Sequence, residues 1–106
     1  HCLSSAASDV YKRQIFTEYE RNYCRGRSTQ LAARFAAKEA AMKALGTGVR
    51  GVGWKEIEVQ RLPSGKPYIK LHGRANERAK FIGVEKIELS ISHSKELATA
   101  MVIMYK

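Results

Sequence analysis

The chain has 106 residues, enough for one domain with a single modest hydrophobic core. Nineteen lysines and arginines outnumber ten acids, and the formal net charge of +9 predicts an anionic partner. No run approaches the roughly 18 consecutive apolar residues that a membrane-spanning helix needs, so we expect a soluble protein. Cys2 and Cys24 show neither metal-ligand spacing nor a disulfide framework, which favours a reducing, cytoplasmic location.

Residues 1–14 do not resemble the start of a folded domain. They lack the basic n-region followed by an apolar h-region that marks a signal peptide. We interpret them as non-native linker sequence, and we expect one functional domain at residues 15–106.

Two helices are predicted at the start of that domain. Thr17 can cap a short helix, and Glu20, three residues later, completes a capping-box pattern. Ser28 or Thr29 then caps a long helix that runs to Leu45 and stops at a glycine.

Three arginines lie on and after the short helix, at Arg21, Arg25 and Arg27. They are either solvated surface residues or a patch that docks an acidic partner by charge complementarity. The sequence leaves both interpretations open.

The second half of the chain predicts an antiparallel sheet. Alternating apolar and polar residues indicate strands at 56–62, 68–71, 86–92 and 97–105, and a helix at 73–82. A Pro-Ser-Gly-Lys turn joins the first two strands into a hairpin. The last strand is apolar on both faces, so we expect it to be central or to lie in an interface. These elements predict an α+β domain with helices packed on one face of an antiparallel sheet.

The long helix carries three charges that its folding does not require. At roughly 100° per residue, Lys38 projects into the bulky apolar stripe, and Glu39 and Lys43 border it. Glu39 and Lys43 are spaced i, i+4, so one interpretation is a helix-stabilising ion pair. The other is a groove in which the carboxylate holds Mg²⁺ and the lysines face phosphate. Charged residues on an otherwise apolar helix favour the second.

Two later motifs allow both a structural and a functional interpretation. Glycines at 46, 48, 51 and 53 form either a flexible connection or a loop whose backbone N–H groups approach phosphate. They do not form a P-loop. Ser92-His93 lies where a strand turns back, and its histidine is either a surface residue or a ligand-binding group. No G-x-S-x-G motif is present, which argues against a serine hydrolase.

Residues 35–48, Phe-Ala-Ala-Lys-Glu-Ala-Ala-Met-Lys-Ala-Leu-Gly-Thr-Gly, resemble the signature helix of the holo-acyl-carrier-protein synthases. These are small bacterial 4′-phosphopantetheinyl transferases. Further blocks resemble the same family in order: Phe16–Arg21, Arg50–Val59, Pro63–Pro67, Leu71–Ala75 and Leu89–His93. Together the blocks cover about residues 15–104.

The resemblance implies that 4′-phosphopantetheine moves from coenzyme A to a serine of acyl carrier protein, in fatty acid biosynthesis. Glu39 is then expected to ligate Mg²⁺, and it is the first candidate for the proton acceptor, through a water on that ion. Lys43 is expected to stabilise the developing phosphate charge, and Lys38 is a weaker candidate for the same work.

The resemblance also implies the residues that contact coenzyme A and the partner protein. The expected coenzyme A contacts are Lys38, Lys43, Gly46, Gly48, Lys66, Pro67, Ser92 and His93. The expected carrier-protein contacts are Arg21, Arg25 and Arg27, because that partner is acidic. Relatives of this size are trimers with active sites between protomers, so a homotrimer is expected.

The family's first strand contains Gly-Ile-Asp, whose aspartate shares the metal with the helix glutamate, and a basic helix follows it. Residues 1–14 contain neither, and we do not assign the aspartate's role to Asp9. We therefore expect strongly reduced activity for these 106 residues.

A small basic nucleic-acid-binding domain is the alternative function that the charge allows. Against it, the basic residues are scattered and no nucleic-acid motif or aromatic stacking pattern is present.

Overall fold

The computed structural model describes residues 8–25 and 27–106 of the chain. The elements in these ranges are α1 (Ser8–Ile15), α2 (Glu18–Cys24), α3 (Ser28–Leu45), α4 (Gly48–Gly51), a 3₁₀ turn (Trp54–Glu56), β1 (Ile57–Arg61), β2 (Pro67–Leu71), α5 (Gly73–Ile82), β3 (Lys86–His93) and β4 (Ala98–Tyr105). The predicted tail at residues 1–14 lies partly outside the described residues, and its second half belongs to α1, which packs on the 3₁₀ turn.

A capping box fixes the start of α2. The Thr17 hydroxyl accepts a hydrogen bond from the Glu20 N–H, and the Glu20 carboxylate accepts one from the Thr17 N–H at 2.9 Å. Each side chain thus satisfies a backbone donor that the first helical turn leaves unpaired. The predicted capping box is confirmed.

The two ends of the long helix α3 are capped in different ways. Arg27 is its N-cap and makes no side-chain cap hydrogen bond, so the prediction that Ser28 or Thr29 caps the helix is wrong. At the other end, Gly46 has φ +76° and its N–H donates to the carbonyls of Met42 and Lys43. A residue with a Cβ is strained in that left-handed conformation, and the predicted glycine stop is confirmed.

The four predicted strands are confirmed, but they form two antiparallel hairpins instead of one continuous sheet. β1 pairs with β2, with Val59 opposite Ile69, and β3 pairs with β4, with Leu89 opposite Val102. β2 lies beside β3, yet no ladder of strand pairing joins them among the described residues.

The core lies between α3 and the two hairpins, because α3 packs against β1, β3 and β4. Its fully buried members come from the helices and from β1, and they include Ala37, Ala41, Met42, Leu45, Ile57, Val59 and Ala75. The small alanines let the strands approach the helix axis closely. The result is the predicted α+β domain. In the described part of the chain, no helix has both the length and the apolar character needed to span a membrane.

The last strand, β4, has one packed face and one exposed face. Ala100, Val102 and Met104 pack against the core, whereas Met101, Ile103 and Tyr105 are exposed. Within the described residues β4 pairs only with β3, so it is an edge strand and the prediction of a central strand is wrong. The outward apolar stripe keeps the prediction of an interface strand open.

Candidate active site

The three charged residues of α3 that are predicted for the site separate into one buried and two exposed side chains. Lys38 is 0 % exposed, whereas Glu39 and Lys43 are both exposed. Among the ion pairs of the described residues, none joins Glu39 to Lys43. The helix-stabilising pair is therefore not formed, and both charged groups point to solvent.

Lys38 points into the protein, where all three of its ammonium protons have partners. Its Nζ donates to the Trp54 carbonyl at 3.0 Å and to the Ile57 carbonyl at 2.5 Å, and it lies 2.8 Å from Glu20 Oε1. Burial lowers the pKa of Lys38, although the neighbouring Glu20 acts in the opposite direction. The predicted contact between Lys38 and coenzyme A needs an exposed ammonium, so it does not fit this position.

Glu20 is the residue that the sequence did not connect with the site. Its Oε1 accepts from the Thr17 N–H and faces Lys38, while its Oε2 accepts the Val59 N–H at 2.7 Å. The capping-box pattern predicted only the first of these contacts. The available signal for the rest was Lys38 itself, a cation in an apolar helix stripe, because such a group needs a buried anion.

A cleft lies between the N-terminal part of α3 and the turn from β3 to β4. One cavity of about 350 Å³ is lined by Ser28, Thr29, Ala32, Lys95, Glu96, Leu97 and Ala98. An adjoining cavity of about 240 Å³ is lined by Ser92, His93, Ser94, Leu97 and Thr99. Leu97 borders both cavities. The structure thus places the predicted residues Ser92 and His93 in the smaller cavity, and α3 in the wall of the larger one.

The helical period connects this cleft to the two exposed charges. Ala32, Glu39 and Lys43 are spaced i, i+7 and i+11, so they share one face of α3. Glu39 lies about 10 Å along the axis from Ala32, at 1.5 Å per residue. The same face that forms a cleft wall at Ala32 therefore presents a carboxylate and, one turn later, an ammonium group.

The C-terminal end of α3 is held by an arginine that the sequence did not single out. Arg78 of α5 donates from Nε to the Leu45 carbonyl at 2.9 Å. Its guanidinium also lies 3.4 Å from where a Cβ on Gly46 would be. Gly48 has φ +59° and open space around it, and with the following residues it forms α4 where a loop was predicted.

Lys66 and Pro67 stand on the first hairpin, away from the exposed face of α3. Lys66 is exposed in the turn before β2, and its Nζ lies 3.8 Å from Glu88 Oε1 of β3. Pro67 pairs with Arg61 at the start of β2. Among the described residues, no hydrogen bond or ion pair joins Lys66 or Pro67 to α3.

The three arginines predicted to bind a partner differ in the hydrogen bonds that their side chains make. Arg21 donates to the Phe16 carbonyl at 2.8 Å, and Arg27 donates to the carbonyls of Cys24 and Tyr23. Arg25 is exposed, with a left-handed φ of 46°. Gly26, between the last two, lies outside the described residues.

Residues 8–25 and 27–106 contain no group of three His, Cys, Asp or Glu side chains that could hold a metal ion by themselves. Mg²⁺ does not require one, because it keeps several waters and binds through one or two carboxylates together with substrate phosphates. An exposed carboxylate at Glu39, with Lys43 one turn away to attract phosphate, fits that type of site.

The sequence profile of the 4′-phosphopantetheinyl transferase superfamily matches residues 5–102. The chain belongs to this family. Curated relatives are named holo-[acyl-carrier-protein] synthase. One from Herpetosiphon aurantiacus is 45% identical over 100 residues, which are 88% of this chain and 79% of the relative. One from Alkaliphilus metalliredigens is 48% identical over 96 residues, which are 88% of this chain and 79% of the relative.

Solved structures of the same family share the fold. The Helicobacter pylori holo-[acyl-carrier-protein] synthase, in complex with coenzyme A, gives a TM-score of 0.86 at 26% identity, covering 98% of this chain and 88% of that one. The Bacillus anthracis protein, in complex with CoA (3′,5′-ADP), gives a TM-score of 0.73 at 39% identity, covering 91% of this chain and 80% of that one.

The resemblance and the fold class are confirmed, and this phosphopantetheinyl transferase is an enzyme. The nucleic-acid-binding alternative receives no support from these relatives. The profile match begins inside the segment that we interpreted as a non-native tail.

Proposed function

We propose that this phosphopantetheinyl transferase moves 4′-phosphopantetheine from coenzyme A to a serine hydroxyl of an acyl carrier protein. The serine oxygen forms a bond to the phosphorus that carries the pantetheine. The bond from that phosphorus to the bridging oxygen of the pyrophosphate breaks, and 3′,5′-ADP leaves. The serine proton passes to a base on the enzyme. Little covalent chemistry is required, so catalysis rests on alignment and on charge stabilisation.

The observation that carries the proposal is the shared face of Glu39 and Lys43. Both are exposed, they are one helical turn apart, and no ion pair between them uses up their charge. The face continues into the cleft next to His93. The names of the curated relatives and the coenzyme A in the Helicobacter pylori structure support the same assignment.

Each of the two residues has a chemical task. Lys43 offsets negative charge on the pyrophosphate as the bond to the leaving group breaks. Glu39 would hold Mg²⁺ with its carboxylate, and the bound ion would neutralise negative charge on the substrate. Glu39 is also our first candidate for accepting the serine proton, because it is the carboxylate on that face.

The remaining predicted contacts border the nucleotide. Ser92 and His93 face the smaller cavity, where the imidazole can donate to a phosphate oxygen. Gly46 and Gly48 adopt left-handed φ values, and the open space at Gly48 allows a ligand to approach the backbone. We assign Lys66 and Pro67 to the nucleotide on the resemblance alone.

The partner and its setting follow from charge and from the family. The net charge of +9 favours an acidic carrier protein, and Arg25 and Arg27 are the exposed members of the arginine group. We place Arg21, Arg25 and Arg27 at this contact, and we place the reaction in fatty acid biosynthesis in the cytoplasm.

We also propose that the protein is a homotrimer. The exposed face of β4 presents Met101, Ile103 and Tyr105 as a contiguous apolar stripe at the sheet edge. Such a stripe favours burial against another copy of the chain.

Transfer of label from coenzyme A to apo acyl carrier protein, measured with Mg²⁺, tests the proposal. The assay is run on the 106-residue chain and on a second chain in which a strand carrying Gly-Ile-Asp replaces residues 1–14, because the resemblance implies a second carboxylate there. Glu39→Ala and Lys43→Ala are expected to lower kcat at least about 100-fold. Glu77→Ala, which removes an exposed acid from α5, is the matched control and should leave kcat unchanged. Absence of transfer by both chains, or equal rates for Glu39→Ala and Glu77→Ala, would contradict the proposal.

A further inference from the structure

Neighbouring residues of α3, Lys38 and Glu39, have opposite environments. Lys38 is fully buried with three acceptors around its ammonium, and Glu39 is exposed. One helical residue corresponds to a rotation of about 100°, and Lys43 lies about 140° from Lys38 around the axis. Whatever fixes the direction of Lys38 therefore also fixes the directions of Glu39 and Lys43.

The contacts of the buried pair come from four separate elements. Glu20 belongs to α2, Lys38 to α3, the Trp54 carbonyl to the 3₁₀ turn, and the Ile57 carbonyl to β1. Glu20 is itself held by two backbone N–H groups, from Thr17 and from Val59 of β1. The ammonium and the carboxylate are thus saturated by groups of fixed direction.

A buried ion pair can fix the rotation of α3 about its axis, which an apolar contact cannot do. Apolar residues of similar volume often replace a buried pair without loss of stability, so stability alone does not explain why charges occupy this site. Apolar packing is non-directional and tolerates small rotations of a helix. Charge-assisted hydrogen bonds to fixed carbonyls are directional, so they define one rotation of α3.

We propose that Lys38 and Glu20 are positioning residues that set the rotation of α3, and thereby aim Glu39 and Lys43 at the substrate. This inference rests on the proposed function for the roles of Glu39 and Lys43. It replaces the predicted contact of Lys38 with phosphate by an indirect role through the helix.

Replacement of the pair by neutral residues, Lys38→Met together with Glu20→Gln, tests the inference. The double variant is made in whichever of the two assayed chains transfers label, and it should fold. Its KM for coenzyme A should stay within about 3-fold of wild type. Its kcat should fall about 10- to 100-fold because the reacting groups are misaligned. A core variant of β2, Ile69→Ala, is the matched control. It loosens the same core without touching the pair, and its kcat should stay at the wild-type value below its unfolding temperature.

Trp54 supplies a second readout that does not depend on activity. It is the single tryptophan of the chain, its carbonyl accepts from Lys38, and its ring stacks on Phe35 of α3 at 4.9 Å. A change in the rotation of α3 should shift its fluorescence maximum in the double variant and not in Ile69→Ala. If the double variant fails to fold, Glu20→Gln alone takes its place under the same two readouts.

The possible outcomes separate this inference from the proposed function. Wild-type kcat in the double variant, a change confined to KM, or an equal fall in kcat for Ile69→Ala would each overturn the positioning role. Absence of transfer by both chains with Lys38 and Glu20 unchanged would instead overturn the proposed function.

Discussion

Glu20 and Lys38 form an ion pair of 2.8 Å in which both side chains are 0 % exposed. The pair joins α2 to α3 at the residue directly before Glu39. The two lysines of α3 consequently differ in what they contribute. Lys38 contributes to the fold and to the direction of the helix face, whereas Lys43 is placed to contribute charge to the reaction.

This difference predicts a large loss of stability for a substitution at Lys38 and almost none for the same substitution at Lys43. Lys38→Met leaves the buried Glu20 carboxylate without its cation and should lower the free energy of unfolding by about 3–5 kcal/mol. Lys43→Met removes an exposed ammonium and should change it by less than about 0.5 kcal/mol. Urea unfolding followed by Trp54 fluorescence measures both values. Similar losses for the two variants would show that Lys38 does not occupy the buried site.

A second buried carboxylate predicts a dependence of stability on pH. Glu58 of β1 accepts from the Thr17 hydroxyl at 2.5 Å and from Gln60 Nε2 at 2.8 Å, and His72 Nε2 lies 2.9 Å away. Burial raises the pKa of Glu58, but these hydrogen bonds outweigh it and the net pKa lies below its ordinary value.

A carboxyl group whose pKa is lowered by folding stabilises the protein above its unfolded pKa, and this contribution is lost as the pH falls through the folded value. Glu58→Gln should therefore be less stable than wild type at pH 7, and the difference should shrink as the pH falls below about 4. Chemical unfolding at several pH values measures this difference, with the exposed acid variant Glu77→Gln as the baseline. A difference that is constant from pH 7 to pH 3 would contradict the hydrogen-bonded carboxylate.

Local signals explain why most elements could be predicted from the sequence. The capping box at Thr17 and the glycines at 46 and 83 mark helix ends through contacts within a few residues. The partners of Lys38 are 16 to 19 residues away, at the Trp54 and Ile57 carbonyls, and 18 residues away at Glu20. The helical period alone therefore places Lys38 in the apolar stripe, but it could not identify the distant anion and carbonyls that bind its ammonium.

The arginine patch predicts a salt-dependent contact with an acidic carrier protein. Arg25→Glu should raise the KM for the carrier protein about 10-fold at low salt and leave the KM for coenzyme A unchanged, because steering acts on the protein partner. Lys70→Glu, the same charge reversal at an exposed position of β2, is the matched control. Equal effects of the two reversals would indicate a response to net charge and would contradict a specific patch.

The outward stripe of β4 predicts an oligomer that one charge can disrupt. Met101 is 62% exposed, the largest exposed fraction in the stripe. Met101→Glu should shift the mass in solution from trimer to monomer, because burying an unpaired carboxylate in an apolar interface is costly. Sedimentation equilibrium measures the mass, and Lys70→Glu at an exposed position of β2 is the control. A wild-type monomer would contradict the proposed trimer.

The edge position of β4 shows another limit of sequence reasoning. A strand that is apolar on both faces is compatible with the centre of a sheet and with an interface, since both bury the second face. The choice depends on which strands pair, and β3 is the only partner of β4 in the described part of the chain.

The central claim is that Glu39 and Lys43 together face the pyrophosphate of coenzyme A. A crystal structure of the protein with coenzyme A and Mg²⁺ tests this claim most directly. We predict a Glu39 carboxylate oxygen about 2.1 Å from the cation, with the Lys43 ammonium within hydrogen-bond distance of a phosphate oxygen. A bound coenzyme A whose pyrophosphate lies away from α3, with the Glu39 carboxylate in bulk solvent, would contradict the account.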